Sequence, residues 1–261
     1  MPLSDAALRS ALRRIGSDAP VRFDEVTGST QATALELAEA GAPAWTLVGA
    51  GHQTQGRGRL GRRWLDRPGA LLFSVVVRPD LPPERGGLVT LLAGVAMADA
   101  LRATGGSPVR CKWPNDLLIG DAKVGGILAS ARPRGDLLAY LVLGVGVNLG
   151  AAPDVAGAGA LADADAAEVL GAFLEGFARD LDPHRRTFAE DVLERYRAMC
   201  ATLGRRVRAT TTEGEVVEGE AVDVDDAGGL VVRTDAGRRV VRFGDVEHLR
   251  DGALPGGGTP G

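Results

Sequence analysis

The chain has 261 residues and a formal net charge of −4, with 45% hydrophobic and 25% charged residues. That length can bury the core of one large domain plus a small one, in an ordinary soluble globular protein. The negative balance excludes broad, sequence-independent nucleic-acid binding, which needs a basic face.

After a short amphipathic N-terminal segment, Val21 to Val26 alternates as a strand does, and Thr27-Gly28-Ser29-Thr30 reads as a turn and helix cap. Leu35 and Ala38 follow at helical spacing until Gly41 and Pro43 stop the helix, and Trp45 to Ala50 is a short apolar strand. Leu71 to Val77 reads as a buried strand closed by Pro79. Leu88, Leu91, Leu92, Val95 and Ala96 recur as the stripe of a core helix. Three strand-like pieces follow, Val109 to Lys112, Asp116 to Ile119 and Lys123 to Ser130, and then the long apolar run Leu137 to Val147.

Residues 151–163, rich in Ala, Gly, Asp and Pro, read as a mobile connection. Val169, Phe173, Phe177 and Leu181 step by four along one helix face, and a further helix carries Phe188, Val192 and Tyr196. From Leu203 short alternating strands with Gly and Asp turns suggest a small β-barrel ending near Leu249.

The two cysteines, Cys111 and Cys200, sit far apart with no disulfide or zinc spacing and read as buried, reduced thiols. No apolar run approaches membrane-spanning length, and Met1 to Pro20 lacks a signal-peptide core, so the expected compartment is the cytoplasm. His52, His184 and His248 show no metal spacing.

Positive charge is concentrated in one place. Gly56-Arg57-Gly58-Arg59-Leu60-Gly61-Arg62-Arg63, followed by Trp64, fits the dinucleotide fingerprint G-x-G-x-x-G. That match fails on context, because the fingerprint needs a helix to start at its glycines, whereas a Pro-Gly turn and a strand follow here. The underlying physics holds: glycines let backbone N–H groups approach an anion, and arginine offers a planar charged fork. Trp64, at the end of a polar loop, needs a flat surface to cover.

Lys112-Trp113-Pro114-Asn115-Asp116 and Lys123-Val124-Gly125-Gly126 form a second constellation, in which a turn at Asp121 brings Lys123 back beside Asp116. Gly144-Val145-Gly146-Val147-Asn148 repeats the theme of glycines in a buried strand followed by an amide.

GRGRLGRRW, KWPNDLLIGDAKVGGILAS and GVGVN, in that order, closely resemble the bacterial biotin–protein ligases, over about residues 21–250. The resemblance implies an α+β fold. A mixed sheet flanked by helices, like that of class II synthetases, would form a catalytic domain over 1–203. An SH3-like β-barrel would follow over 204–250, and a disordered tail over 251–261.

It also implies the chemistry. Biotin is activated by ATP to biotinyl-5′-AMP with release of pyrophosphate, and the acyl group then passes to a lysine of a biotin carboxyl carrier protein domain. Arg57, Lys123 and Asp116 become the catalytic set. Arg57 and Lys123 meet carboxylate and phosphate, and Asp116 orients or deprotonates the acceptor lysine. The biotin site comprises Ser29, Thr30, Gln31, Gln53, Gly56, Arg57, Gly58, Arg59, Lys123, Gly144 and Gly146. Gln31 departs from the family's usual Ser-Thr-Asn. The ATP site comprises Arg59, Arg62, Trp64, Asn115, Lys123 and Asn148, with Trp64 near adenine and Asn148 reading its edge. Magnesium is expected on the ATP phosphates rather than in a protein cage, and the loop glycines 56, 58 and 61 would be the hinges of a closing lid.

The resemblance further implies a monomer or homodimer. No nucleic acid or membrane partner is expected, nor a repressor role, since about twenty residues precede the first strand. Two alternatives stand beside it: a lipoate or octanoate ligase with the same adenylate chemistry, and a non-catalytic sensor of biotinyl-AMP.

Overall fold

The computed structural model of the protein describes residues 3–162 and 164–249. The expected tail at 251–261 lies outside the described residues.

The N-terminal segment forms helix α1 (Asp5–Arg14). Ser4 Oγ accepts from Ala7 N at 3.2 Å, Asp5 opens the first turn, and Arg13 and Arg14 close the last, each suited to the helix dipole. Leu8, Ala11 and Leu12, at the spacing of one face, are its buried residues.

Strands β1 (Val21–Thr27) and β2 (Leu47–Gln53) pair in parallel, which demands a crossover, and α2 (Thr30–Glu39) supplies it. The other neighbours pair antiparallel: β3 (Leu71–Val77), β4 (Arg110–Lys112), β5 (Asp116–Ile119), β6 (Ala122–Arg134) and β7 (Leu137–Val147). The resulting mixed sheet has the order β1-β2-β3-β7-β6-β5-β4.

Side chains alternate between its two faces. Leu47, Phe73, Val75, Leu141, Leu143 and Val145 point to the large core, with α1 and the helices α3 (Gly86–Gly105), α4 (Ala166–Asp180) and α5 (Phe188–Met199). Phe73, Phe173 and Phe177 meet there, with successive ring centroids 5.4 Å apart. Val48, Val76, Tyr140 and Val142 point the other way, against Ala34 and Ala38 of α2. With only 10 residues, α2 covers part of that face. The rest of the face, at Gly126, Leu128, Gly144 and Gly146, is left for the site.

Helix α3 bears on an expectation from sequence. With the short 3-10 turn before it, Pro83–Gly105 is long and apolar enough, by length and composition, to cross a membrane, contrary to the reading that no run approaches that length. It is mostly buried, packed between the sheet and α4, as a core helix is.

From Arg206 a second sheet forms from β8 (Arg206–Thr211), β9 (Val216–Val224), β10 (Leu230–Thr234), β11 (Gly237–Val241) and β12 (Gly244–His248), in the order β11-β10-β9-β8-β12. The expected barrel is corrected here. The outer strands β11 and β12 do not pair with each other among the described residues, so the antiparallel sheet stays open. Its apolar face, including Val207, Ala221, Leu230 and Val246, needs no closure because it joins the large core. Trp113 fastens the two sheets, its backbone N–H donating to Thr202 Oγ1 at 3.0 Å and its indole N–H to Gly228 O at 2.9 Å.

The cysteines are free and buried as read, yet Cys111 and Cys200 lie side by side in an isolated backbone bridge, with Ala201 N donating to Cys111 O at 2.6 Å. Residues 151–162, expected to be a loose connection, are laced back onto the sheet. Leu161 N donates to Asn148 O, Lys123 N to Gly157 O and Gly159 N to Lys123 O.

Candidate active site

The open part of the α2 face forms the floor of one cleft. It is lined by Ser29, Thr30, Gln31, Gln53, Arg57, Gly58, Arg59, Arg62, Trp64, Asn115, Asp116, Lys123, Gly144 and Gly146, which unites all but two of the residues singled out from sequence. The exceptions are Gly56, buried behind Trp64, and Asn148, which lines an adjoining groove together with Trp64 and Lys123.

One end of the cleft is neutral and networked. Ser29 occupies the N-cap of α2, but its side chain makes no cap hydrogen bond, and its buried Oγ has no partner. A plain helix cap would have used that oxygen. Thr30 donates to Gln53 Oε1 twice, from N at 2.9 Å and from Oγ1 at 3.2 Å. Ser74 Oγ donates to Thr30 Oγ1 at 2.9 Å. Gln31 lays its amide across Gly144 and donates to Ser130 Oγ and Val142 O, both at 3.1 Å. A Cβ on Gly144 would lie 2.3 Å from Gln31 Oε1. The glycine therefore makes room for Gln31, whose side chain lines the cleft beside it.

The other end is cationic. The loop after β2 closes on itself through Gly58 N to Arg62 O at 2.8 Å and Trp64 N to Gly56 O at 2.9 Å. Of its glycines only Gly61 (φ +72°) uses the left-handed region; Leu60 beside it (φ 53°) enters that region at a cost of about 1–2 kcal/mol. Gly56 serves close approach instead, since a Cβ there would sit 2.5 Å from Trp64 O. Two of the arginines reach the second sheet. Arg59 donates to Gly244 O at 2.9 Å, and Arg62 pairs with Asp245. Burial lowers the Arg59 pKa, against the pull of Asp245 and Asp116, while the hydrogen bond to Asp245 raises that of Arg62. Arg63 turns back to Thr54 O at 2.9 Å. The Arg57 side chain has no hydrogen-bond or ion-pair partner among the described residues and faces the cleft.

The turn through Gly120 and Asp121 returns β6 along β5 and brings Lys123 Nζ to 2.5 Å from Asp116 Oδ1, the juxtaposition read from the sequence. Asn115 is tied to β6, its Nδ2 donating to Ile127 O at 2.8 Å. The Trp64 indole lies on the paired glycines 126 and 146; a Cβ on Gly146 would be 2.5 Å from its ring. Its buried N–H has no partner, and neither does Oδ1 of buried Asn148, whose Nδ2 donates to Gly159 O at 2.9 Å. Trp64 thus forms the wall between the slot and the Asn148 groove.

Sequence reasoning missed Ser74 and Ser130, single serines in apolar strands whose only signal is a polar residue at a position facing the glycines. It also missed Asp245, an ordinary charge until the loop reaches it. Asp116 and Asp245, the carboxylates in the cleft, are both already ion-paired, and no cluster of three or more His, Cys, Asp or Glu able to hold a metal occurs among the described residues.

Comparison with known proteins agrees with this geometry. The Biotin/lipoate A/B protein ligase family matches residues 23–148 and the Biotin protein ligase C terminal domain matches 202–249. The chain is 37% identical to the biotin--[acetyl-CoA-carboxylase] ligase of Mycobacterium tuberculosis, over 95% of this chain and 97% of that one. It is 32% identical to the bifunctional ligase/repressor BirA of Bacillus subtilis, over 94% and 79% respectively. Among solved structures, the biotin protein ligase of Aquifex aeolicus in complex with biotin and ATP superposes with a TM-score of 0.74 at 26% identity, covering 88% of this chain and 99% of that one. A cleft with a neutral hydrogen-bonding end and a cationic end, on a fold shared with these relatives, leads to one assignment: the chain belongs to the biotin protein ligase family and is a ligase.

Proposed function

We propose that the protein activates biotin with ATP, forming biotinyl-5′-AMP and pyrophosphate, and then transfers biotin to a lysine of a carboxylase carrier domain. The observation that carries this reading is the polarity of the cleft. The buried, unpartnered Ser29 Oγ and the Thr30–Gln53 pair offer neutral hydrogen bonds for a ureido ring. Five positions along β6 from Leu128, about 16 Å at strand spacing, Lys123 and the arginine loop offer positive charge for a carboxylate and an α-phosphate.

In the first step the carboxylate and the phosphate repel each other. Arg57, Arg59 and Lys123 neutralise that repulsion and stabilise the charge that develops at phosphorus. Trp64 separates the acyl slot from the groove in which Asn148 Oδ1 awaits a donor, such as the amino group of adenine. Magnesium would travel with the nucleotide phosphates, since the cleft carboxylates Asp116 and Asp245 are ion-paired and do not fit a protein cage. In the second step the acceptor amine needs a proton acceptor, and Asp116 is the carboxylate at hand. Asp116 must then leave Lys123, whose charge passes to the phosphate. We place the reaction in the reducing cytoplasm, consistent with two free thiols kept adjacent.

The test is pyrophosphate release with ATP and magnesium, offering biotin and lipoate separately, followed by addition of a biotin carrier domain. Release with biotin and label on the carrier lysine is expected. Release with lipoate alone, or biotin binding without turnover, would overturn the reading.

A further inference from the structure

The arginine loop is tied at its tip to β12, but its two stems are held very differently. The outgoing stem leaves β2 and stays with the end of β1, through Thr54 N to Thr27 O at 2.9 Å and Gln55 N to Gly28 O at 2.8 Å. The returning stem has no such support. Strands β2 and β3 pair only as far as Ala50 and Leu72, and residues 64–70 form no helix or strand. Among the described residues, 65–69 take part in one backbone hydrogen bond, the local one from Ala70 N to Arg67 O at 3.0 Å. Their one further hydrogen bond or ion pair, again among the described residues, is a side-chain contact. His52 Nδ1, on β2, lies 2.8 Å from Asp66 Oδ2, fourteen positions on. A carboxylate accepts, so the ring proton sits on Nδ1. This contact closes the loop at its base, below the bonds from Arg63 to Thr54 O and from Trp64 N to Gly56 O.

The pair is a costly fastening. The Asp66 side chain is only 2% exposed and its Oδ1 has no partner, whereas that of His52 is 54% exposed. A buried carboxylate with a single bond costs more to keep than an apolar side chain would. Packing does not do the same work, because a cavity opens beside the pair, lined also by Leu3, Glu25, Gly51 and Pro68. The Glu25 carboxylate reaches it, since a Cβ on Gly51 would lie 3.1 Å from Glu25 Oε2. His52 is therefore the one side-chain donor in a lining that carries two carboxylates. What the hydrogen bond supplies, and loose packing cannot, is a fixed direction between the stems.

We propose that His52 and Asp66 are positioning residues for adenylate formation: their hydrogen bond clasps the stems of the arginine loop and so fixes Arg57 and Trp64 relative to the slot. The inference rests on the adenylation reading above. His52 adjoins Gln53, which accepts from Thr30 in the slot, and Asp66 stands two residues after Trp64. The clasp thus joins, through a few residues, the end that holds a neutral ring to the loop that meets carboxylate and phosphate. Neither residue lines the cleft, so their effect passes through the loop. Placement matters steeply, since a shift of about 1 Å at reacting groups costs on the order of 10²-fold in rate.

His52→Ala leaves a buried carboxylate unpaired, so it is compared with Asp66→Ala and with the double variant, which removes both partners. Single-turnover adenylate formation by the full chain should slow about tenfold or more in all three, the double variant no more than the singles, as for a pair acting as one unit. Affinity for biotinol, the alcohol of biotin that lacks the carboxylate, should stay within about twofold, because it reads the slot alone and also reports an intact fold. His52→Asn places an amide N–H where Nδ1 stood and should restore most of the rate. Trypsin should cut after Arg57, Arg59, Arg62 and Arg63 several-fold faster in the double variant, with cuts elsewhere unchanged. An adenylation rate in the double variant within about twofold of wild type overturns the proposal. So does a loss that His52→Asn does not restore, or one shared equally by biotinol binding. Absence of biotin-dependent pyrophosphate release from wild type would instead overturn the adenylation reading, so the two failures are distinct.

Discussion

The two ends of the cleft solve opposite problems. At the slot end, Thr30, Gln31, Gln53, Ser74 and Ser130 are joined by hydrogen bonds within a buried network, with one deliberate opening at Ser29 Oγ. At the loop end the arginines are mostly exposed, two are tied to β12, and Arg57 is left unpaired among the described residues. A neutral ring is recognised by groups fixed in advance, since a buried polar group without its partner is costly. In the proposed reading, charged, reacting groups are met instead by a loop held through its own backbone bonds and its ties to β12, with Arg57 left over to face them.

The sharpest way to break the comparison is at the charged end. Arg57→Ala should lower the rate of adenylate formation by about 10²–10³ and leave melting nearly unchanged, because the side chain supports nothing else. Single-turnover adenylation alongside a thermal scan checks both halves. The slot end should behave in the reverse way. Gly144→Ala drives a methyl into Gln31 Oε1 and should cost about 1–3 kcal/mol of stability together with biotin affinity. Denaturant unfolding and biotin titration measure the two losses. Gln31→Ala removes a lining side chain and its bonds to Ser130 and Val142, and should weaken biotin while admitting a longer acyl chain, which competition with lipoate would reveal.

A smaller effect separates the sheets by pH. The pKa of His248 is about 4 in the folded protein against an ordinary value near 6.5. At pH 7 both folded and unfolded states hold it neutral. Below 6.5 the unfolded chain binds the proton first, so stability falls as pH drops through the window from 6.5 to 4. His248→Gln should flatten that slope in a series of unfolding curves. The smallest effect belongs to Arg62 and Asp245. As an exposed pair it contributes about 0–1 kcal/mol, so Asp245→Asn should hardly move the melting temperature. Its expected signature is a raised KM for ATP that wild type also shows at high salt; an unchanged KM would mean the tether does not position the loop.

Several parts of the site were legible because they are local. Asp116 and Lys123 are joined by one short turn, so hairpin geometry alone brings them together. Ser29 at the start of α2 followed from the turn-and-cap pattern, and the structure places it at the N-cap with its hydroxyl making no cap hydrogen bond. Gly126 and Gly146 marked a strand face where backbone is approached closely, and the register places them opposite each other under Trp64.

The amino-acid sequence by itself determined the elements, the charge of the loop, the turn chemistry and the three motifs, since periodicity and spacing act over a few residues. Tertiary structure alone decided which strands became neighbours, and with them every pairing between distant positions. It set Ser74 and Ser130 beneath Gln31, Cys111 beside Cys200, Arg62 against Asp245, and the second sheet open because its apolar face closes on the large core. The physical reason is that side-chain alternation states which residues share a face of a strand, while only register and packing state what that face meets.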